Sequence, residues 1–183
     1  MRRSWILGVV IVVFAIGASA AVAASPHFKK GGQPTCSVTG TSTSSTSTTC
    51  NGTLAGLSGS DIYVNTIVNG FAVYTCTNGG GNTAPGQNQV LAGPSTTPTT
   101  INGAETKNGN LTFNTNSNTL SASDTVSGSA AGCPNNNWTG TNPRLTVTSV
   151  ELQIGYAGQQ PFYDCTVTNP SGLSGSVTFP ASC

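Results

Sequence analysis

The chain has 183 residues, of which only 6% are charged, with six Lys and Arg against five Asp and Glu. Because binding to nucleic acid needs a cluster of cations that displaces counterions from phosphates, this composition excludes nucleic acid as an expected partner. The length is that of one domain, and a weak net charge offers little resistance to collapse into a folded state.

Residues 1–24 have the pattern of a signal peptide, which is helical during export. Arg2 and Arg3 precede an uncharged apolar run, and small residues then lead to Ser25-Pro26. An uncleaved anchor is the alternative, since the apolar stretch is about long enough to span a bilayer. The small residues favour cleavage. We therefore predict a secreted, extracellular protein that meets the membrane only through its leader.

Two segments after the leader are predicted to be irregular. Residues 25–35 are interrupted by Pro26, Pro34 and a Gly-Gly pair, so we expect a flexible tail that is mobile or loosely docked. Residues 39–49 form a low-complexity Ser/Thr-rich tract with nothing to bury, which predicts a loop. Residues 36–183 as a whole are expected to form a single β domain.

From residue 53 onward, β-rich runs alternate with turn signals at the spacing typical of a sandwich or barrel. Asn69-Gly70 offers the two central residues of a type I′ hairpin, which predicts strands at 62–68 and 71–77. In the first of these, Ile62, Val64, Thr66 and Val68 share one face. Further strands are predicted at 53–57, 110–115, 119–127, 144–156, 161–168 and 174–179. The fold class is therefore all-β, a disulfide-stapled β-sandwich, roughly immunoglobulin-like, with seven to eight strands.

The remaining long segment, residues 78–109, is rich in Gly, Pro, Asn and Thr and contains the turn signals Asn102-Gly103 and Asn108-Gly109. It is predicted to be a long loop with one short strand at Val90-Leu91. Long structured loops are often functional, so a binding surface is expected here first. No segment after the leader combines helical periodicity with good helix formers, and the mature domain should be almost free of helix.

The six cysteines are expected to pair, because export places them in an oxidising compartment. Two of them bracket the Ser/Thr tract and have no other partner near them in sequence. Two others would tie down the C-terminus, which leaves the last pair to link the predicted hairpin to a later loop. The expected bridges are Cys36–Cys50, Cys165–Cys183 and Cys76–Cys133.

The sequence offers little for catalysis. No C-x-x-C pair occurs, and the one histidine, His27, lies in the predicted tail, so no metal site, cofactor or catalytic residue is predicted. A glycosidase-like hydrolase needs two carboxyls facing each other across a cleft, and the acidic residues are dispersed singly along the chain. Such a secreted hydrolase stays an alternative that depends on two of them meeting in space: Asp61, Glu105, Asp124, Glu151 and Asp164.

Carbohydrate binding would use an exposed aromatic ring with amide groups beside it. Trp138 is the only tryptophan after the leader and follows an Asn-rich run that ends at Asn137. A tryptophan near a disulfide is more often packed against it, and Tyr156 beside a predicted turn invites the same two interpretations. These three residues are the candidate ligand contacts, with cell-wall or extracellular polysaccharide as the candidate partner.

Several short motifs also resemble a group of small secreted bacterial proteins to which no activity is assigned. They span residues 25–134 and read Ser25-Pro26-His27-Phe28, Tyr74-Thr-Cys76-Thr-Asn78-Gly-Gly-Gly-Asn82, Lys107-Asn108-Gly109 and Cys133-Pro134. The resemblance implies a compact all-β exported domain and supports the pairing of Cys76 with Cys133. The Ser/Thr tract, Cys165 and Cys183 depart from that pattern, and no functional residue is transferred.

The sequence thus favours a non-enzymatic secreted protein of the cell surface or extracellular matrix, because it has many predicted strands, few charges and no catalytic constellation. A glycan-binding module centred on Trp138 is the first alternative, and the hydrolase is the second. The oligomeric state is left open.

Overall fold

The structure, a computed structural model, describes residues 25–41 and 43–180. The predicted signal peptide and Cys183 lie outside the described residues. The strands of the described part are β1 (His27–Phe28), β2 (Thr35–Thr39), β3 (Ser45–Ala55), β4 (Ile62–Asn78), β5 (Thr83–Pro85), β6 (Val90–Ile101), β7 (Leu111–Asn114), β8 (Asn118–Ser121), β9 (Val126–Ser127), β10 (Trp138–Tyr156), β11 (Pro161–Leu173) and β12 (Gly175–Thr178). A 3₁₀ helix (Gly103–Glu105) and the four-residue helix α1 (Gly128–Ala131) complete it.

These strands pair antiparallel in two six-stranded sheets. Sheet A is built on β3, which pairs with β1, β2, β7 and β8, while β12 extends it beyond β2. Sheet B is built on the long pair β4 and β10, with β5 and β6 on β4 and with β9 and β11 on β10. The predicted all-β class and the near absence of helix are confirmed, although the described part has more strands than the seven to eight expected.

One hydrophobic core joins side chains from both sheets. Along β4 every second residue is buried, from Ile62 to Cys76, which confirms the predicted inward face of residues 62–68. The same alternation runs along much of β10 and is interrupted at its register shifts near Thr141, Thr148 and Gly155. Because a strand sends alternate side chains to opposite faces, each strand gives the core only half of its residues. The largest fully buried side chains are Phe113, Phe179, Leu54, Ile62, Leu120, Leu145, Leu152 and Ile154.

The predicted hairpin at Asn69-Gly70 is wrong, because β4 continues straight through these two residues. They lie at a register shift against both neighbouring strands, which marks a β-bulge. Gly70 is needed there for close packing: a Cβ on it would lie 2.2 Å from the carbonyl oxygen of Thr146. An Asn-Gly pair inside a strand pattern fits a bulge as well as a turn, and the neighbouring strands decide between them.

The Ser/Thr tract is likewise not a loop throughout residues 39–49, since Thr39 ends β2 and residues 45–49 are the start of β3. Thr46, Thr48 and Cys50 point inward and are buried, and the residues between them point outward. Thr is β-branched and fits a pleated sheet. Because Ser and Thr occupy both faces of the strand, the tract shows no alternation of apolar and polar residues that would have predicted a strand.

The predicted loop at 78–109 is also wrong, since residues 90–101 form the twelve-residue strand β6 against β4. Pro94 and Pro98 are compatible with a strand here because an edge strand tolerates proline. Among the described residues, β6 pairs with β4 alone and is therefore an edge strand. Only Asn108-Gly109 makes the expected tight turn, with φ of 51° and 74° and hydrogen bonds between Lys107 and Asn110.

The segment expected to be a flexible tail is held against the sandwich. Phe28 lies in β1, which pairs with the end of β3, and its ring stacks on Tyr163 of sheet B at 4.4 Å between centroids. The Tyr163 hydroxyl donates to the carbonyl oxygen of Pro26. These contacts close one end of the sandwich by connecting the two sheets.

Two of the three expected disulfides are confirmed. Cys36 and Cys50 face each other across β2 and β3, with 4.0 Å between their Cα atoms. The second bridge joins Cys76 of β4 to Cys133, just after α1. Cys165 is also disulfide-bonded, and Cys183, its predicted partner, lies outside the described residues. Disulfides of this kind are consistent with an oxidising environment.

The core contains a cluster of polar side chains where the two sheets meet. Asn118 of β8 is fully buried, and its Nδ2 donates to the backbone oxygens of Thr66 in β4 and Ser95 in β6. The hydroxyls of Thr46, Thr48 and Thr66 are buried without a hydrogen-bond partner, as is the Asn118 side-chain oxygen. Asn118 therefore fixes sheet A against sheet B, while the hydroxyls cost stability.

We expect Thr66→Val to raise the free energy of unfolding by about 1 kcal/mol, because it removes a buried hydroxyl that has no partner. The matched control is Thr115→Val, which removes the acceptor of the Cys50 backbone N–H at 2.8 Å and should lower it by about 1–3 kcal/mol. Urea unfolding measures both. Equal destabilisation by the two substitutions would contradict this account of the core.

We expect Gly70→Ala to lower the free energy of unfolding by about 1–3 kcal/mol, because its methyl group would overlap the Thr146 carbonyl. Gly79→Ala is the control, since a Cβ there meets nothing within 4 Å, and it should change stability by less than about 0.5 kcal/mol. A tolerated Gly70→Ala in thermal unfolding would show that the bulge is not closely packed.

Candidate functional site

Trp138 is the first residue of β10 and pairs with Asn78 at the end of β4. Its side chain is half-buried and packs against the edge of the core, so it is neither fully enclosed nor an open platform. The neighbouring Asn137 is exposed, and its backbone N–H donates to the Asn135 side chain. A ligand contact at this corner stays a prediction.

Tyr156 lies at the opposite end of β10, which places it roughly 60 Å from Trp138 at about 3.3 Å per residue. The Tyr156 hydroxyl accepts a hydrogen bond from the Ser58 backbone, and its ring packs on Phe162 at 5.3 Å. Phe162 in turn contacts Tyr163, within the aromatic group that closes this end of the sandwich. The structure thus separates the predicted ligand contacts into two distant places.

Of the five carboxylates, the structure brings Glu151 and Asp164 together on the outer face of sheet B. The Nε2 of Gln153 lies between them and donates to Glu151 at 2.7 Å and to Asp164 at 3.4 Å. Burial, and then repulsion from Asp164, raise the pKa of Glu151. The two groups stand side by side on one sheet face, whereas glycoside hydrolysis needs carboxyls on the two sides of a bond.

The other candidate groups from the sequence lie apart. Asp61 accepts a hydrogen bond from the Gly103 backbone at 2.7 Å and so fixes the start of the 3₁₀ helix, which carries the exposed Glu105. His27 is exposed in β1, with its Nδ1 2.9 Å from the Ser25 carbonyl. Within residues 25–41 and 43–180, no three His, Cys, Asp or Glu side chains cluster to hold a metal, and no helix there could span a membrane.

Asp124 lines a groove of about 470 Å³ beside the β2–β3 turn, together with Arg144, Asn142, Ser44 and Thr75. A register shift in β10 between Thr141 and Arg144 shapes its floor, and Asn142 has a left-handed backbone with φ of 49°. Burial and the nearby Asp124 carboxylate raise the pKa of Tyr74, whose hydroxyl donates to the Ser123 carbonyl. The groove joins opposite charges in an otherwise weakly charged molecule.

A second groove, of about 370 Å³, opens on the outer face of sheet B. Its lining contains no charged residue. Beside it, Leu91 of β6 pairs with Phe71 of β4 and is 89% exposed, the only large hydrophobic side chain so exposed in the described part of the chain. We call this second groove the Phe71 groove. Its lining residues are Phe71, Gln89, Thr148, Ser149, Thr168 and Pro170.

The outer face of sheet A has a different character. On β2, β7, β8, β12 and the first part of β3, every outward-facing side chain is Ser, Thr or Asn, and we call this surface the Ser/Thr face. Its members are Thr35, Ser37, Thr39, Ser45, Ser47, Thr49, Asn51, Thr53, Thr112, Asn114, Thr119, Ser121, Ser176 and Thr178.

Phe71 and Gln89 are not among the ligand contacts predicted from the sequence. The signal for Phe71 was available, because it falls on the opposite face of β4 from the buried Ala72 and Tyr74. No local signal marks Gln89, since its place in the groove depends on the pairing of β6 with β4.

Comparison with family models, with curated proteins and with solved structures finds no match to this chain. The resemblance to small secreted bacterial proteins therefore stays a prediction.

We expect Glu151→Gln to raise the melting temperature at pH 7 by about 1–2 °C, because the raised pKa means that the ionised carboxylate is disfavoured in the folded state. The gain should disappear as the pH falls below the ordinary pKa of Glu, where the wild-type group is protonated in both states. Glu105→Gln is the control, because it makes the same charge change on an exposed residue, and it should change the free energy of unfolding by less than about 0.5 kcal/mol at pH 7. A lower melting temperature of Glu151→Gln at pH 7 would contradict the assignment.

Proposed function

We propose that this chain is a non-enzymatic extracellular protein of the cell surface or matrix that works by contact with polysaccharide. The observation that carries the proposal is the Ser/Thr face, a continuous sheet surface whose own outward side chains are all hydroxyls and amides. Charged residues, Lys29, Glu105 and Lys107, border it at the end formed by Thr53 and Thr112. Export through the predicted leader and the disulfides in both sheets agree with this place of action.

The chemistry of the Ser/Thr face suits a polysaccharide. A hydroxyl both donates and accepts hydrogen bonds, and so do the hydroxyls of sugar rings. The strands also hold these groups in rows: Ser176, Ser37 and Thr49 are opposite one another on three adjacent strands. Each contact is weak in water, but many contacts from one rigid surface add up without the entropy cost of ordering loops.

The glycan-binding module centred on Trp138 remains the second candidate. What supports it is that the Trp138 ring is half-exposed beside the exposed Asn137 rather than enclosed in the core. It would use the corner where β4 ends and β10 begins, which is separate from the Ser/Thr face.

The test is co-sedimentation of the secreted protein with insoluble cell-wall polysaccharide. We expect the wild type to pellet, and the triple variant Ser37→Glu, Thr49→Glu, Ser176→Glu to lose at least about fivefold in bound fraction, because three charges would replace one row of hydroxyls. The control carries Glu at Thr96 and Thr100, exposed outward positions of β6. Trp138→Ala tests the second candidate in the same assay.

A wild type that stays wholly soluble would overturn the proposal, and so would release of reducing sugars from the polysaccharide, which would make the protein a hydrolase. Loss of binding in the β6 control alone would move the contact to sheet B.

A further inference from the structure

Four adjacent strands of sheet B are irregular at one level. Relative to β4, β10 has one extra residue, Thr148, between the pairs Val147–Gly70 and Ser149–Asn69. At the same level β6 has two residues, Gly93 and Pro94, opposite the single Asn69 of β4, and β11 bulges out over residues 169–172. Bulges bend strands and redirect side chains, and they are frequent beside binding sites.

The Phe71 groove lies where these irregularities meet. It takes Phe71 from β4, Thr148 and Ser149 from β10, and Thr168 and Pro170 from β11. Gln89, just before β6, lines it as well. Its volume of about 370 Å³ lies within the roughly 300–1,000 Å³ of small-molecule sites.

Hydrogen bonds within the bulges hold the polar groups of the groove in place. The Nδ2 of Asn69 donates to the Ser149 hydroxyl at 3.2 Å, and the Thr148 hydroxyl donates to the Asn69 carbonyl at 3.4 Å. The bulge of β11 is fixed by the Asn169 side chain, which donates to the Gly172 carbonyl at 2.8 Å. A site whose backbone is fixed in this way loses little entropy when it binds.

The lining combines an aromatic surface with uncharged hydrogen-bonding groups. Phe71 is half-buried in the sheet and leaves part of its ring exposed, with Leu91 next to it on β6. Ser149, Thr168 and Gln89 supply hydroxyl and amide groups around this apolar area. A sugar ring has matching surfaces, since its C–H face is apolar and its rim carries hydroxyls.

We propose that the Phe71 groove binds neutral sugar residues of a polysaccharide, with a ring face on Phe71 and its hydroxyls on Gln89, Ser149 and Thr168. The lining favours a neutral sugar because no charged side chain belongs to it. Glu151, two residues beyond Ser149 on the same face of β10, would repel a sugar acid. This inference rests on the proposed contact with polysaccharide, to which it adds a second site, on sheet B, separate from the Ser/Thr face of sheet A.

The experiment titrates the ¹⁵N-labelled secreted protein with cellohexaose, xylohexaose and mannohexaose, and with hexagalacturonate as the acidic probe. We expect saturable chemical-shift changes with at least one neutral hexasaccharide, centred on the amides of Phe71, Gln89 and Ser149. Phe71→Ala and Gln89→Ala should each weaken this binding at least about tenfold. Gln89 is exposed and precedes β6, so a loss in Gln89→Ala would not come from damage to the sheet.

The matched control is Ile67→Ala, which also removes a half-buried hydrophobic side chain from the outer face of β4. It should change the affinity less than about twofold. An equal loss in Ile67→Ala, no saturable shift with any neutral probe, binding of hexagalacturonate alone, or shifts centred on Trp138 would each overturn the inference.

The two proposals can fail separately. Retention on cell-wall polysaccharide that persists in Phe71→Ala, with no neutral hexasaccharide bound, would leave the Ser/Thr face as the contact and remove only the groove. Binding of a hexasaccharide in the groove by a protein that does not sediment with cell-wall polysaccharide would leave the groove as a sugar site and remove the Ser/Thr face as the contact.

Discussion

The pairing of β4 with β10 is the constraint on which the rest of the structure depends. These strands of 17 and 19 residues are hydrogen-bonded along nearly their whole length, from Ile62 with Tyr156 to Asn78 with Trp138. Apolar residues are scarce in this chain, so the core is a single thin layer of alternate side chains. Long strands compensate for this, because every further pair of residues adds backbone hydrogen bonds and one more inward side chain.

Strands of this length would make a smoothly twisted, uniform surface if they were regular throughout. Sheet B departs from regularity near Asn69-Gly70, where the extra residues of β6, β10 and β11 coincide. The irregular backbone thereby forms a groove in the sheet surface without a long loop. The sandwich thus has two different outer surfaces, the regular Ser/Thr face and the Phe71 groove.

The inward pattern of residues 62–68 was predictable because β-branched residues occupy alternate positions there, and the bridges Cys36–Cys50 and Cys76–Cys133 were predictable from their positions. The bulge at Asn69-Gly70 was not predictable, because an Asn-Gly pair suits a hairpin as well as a bulge. Only the pairing of β10 with both halves of β4 shows that the strand continues. In the Ser/Thr tract, Thr occupies both faces, so burial of Thr46 and Thr48 leaves no trace in composition. The Phe71 groove was beyond local reasoning, because it combines residues from different parts of the chain.

The groove at the bulges also has a consequence for the evolution of this fold. Its shape comes from backbone register, held by Gly70, Gly93 and the Asn69 and Asn169 side chains, and much less from the side chains that would touch a ligand. Phe71 and Gln89 could therefore be exchanged for other residues while the sandwich kept its architecture. Descendants of one such scaffold would be free to diverge in what they recognise, and the glycines and asparagines of the bulges would change most slowly.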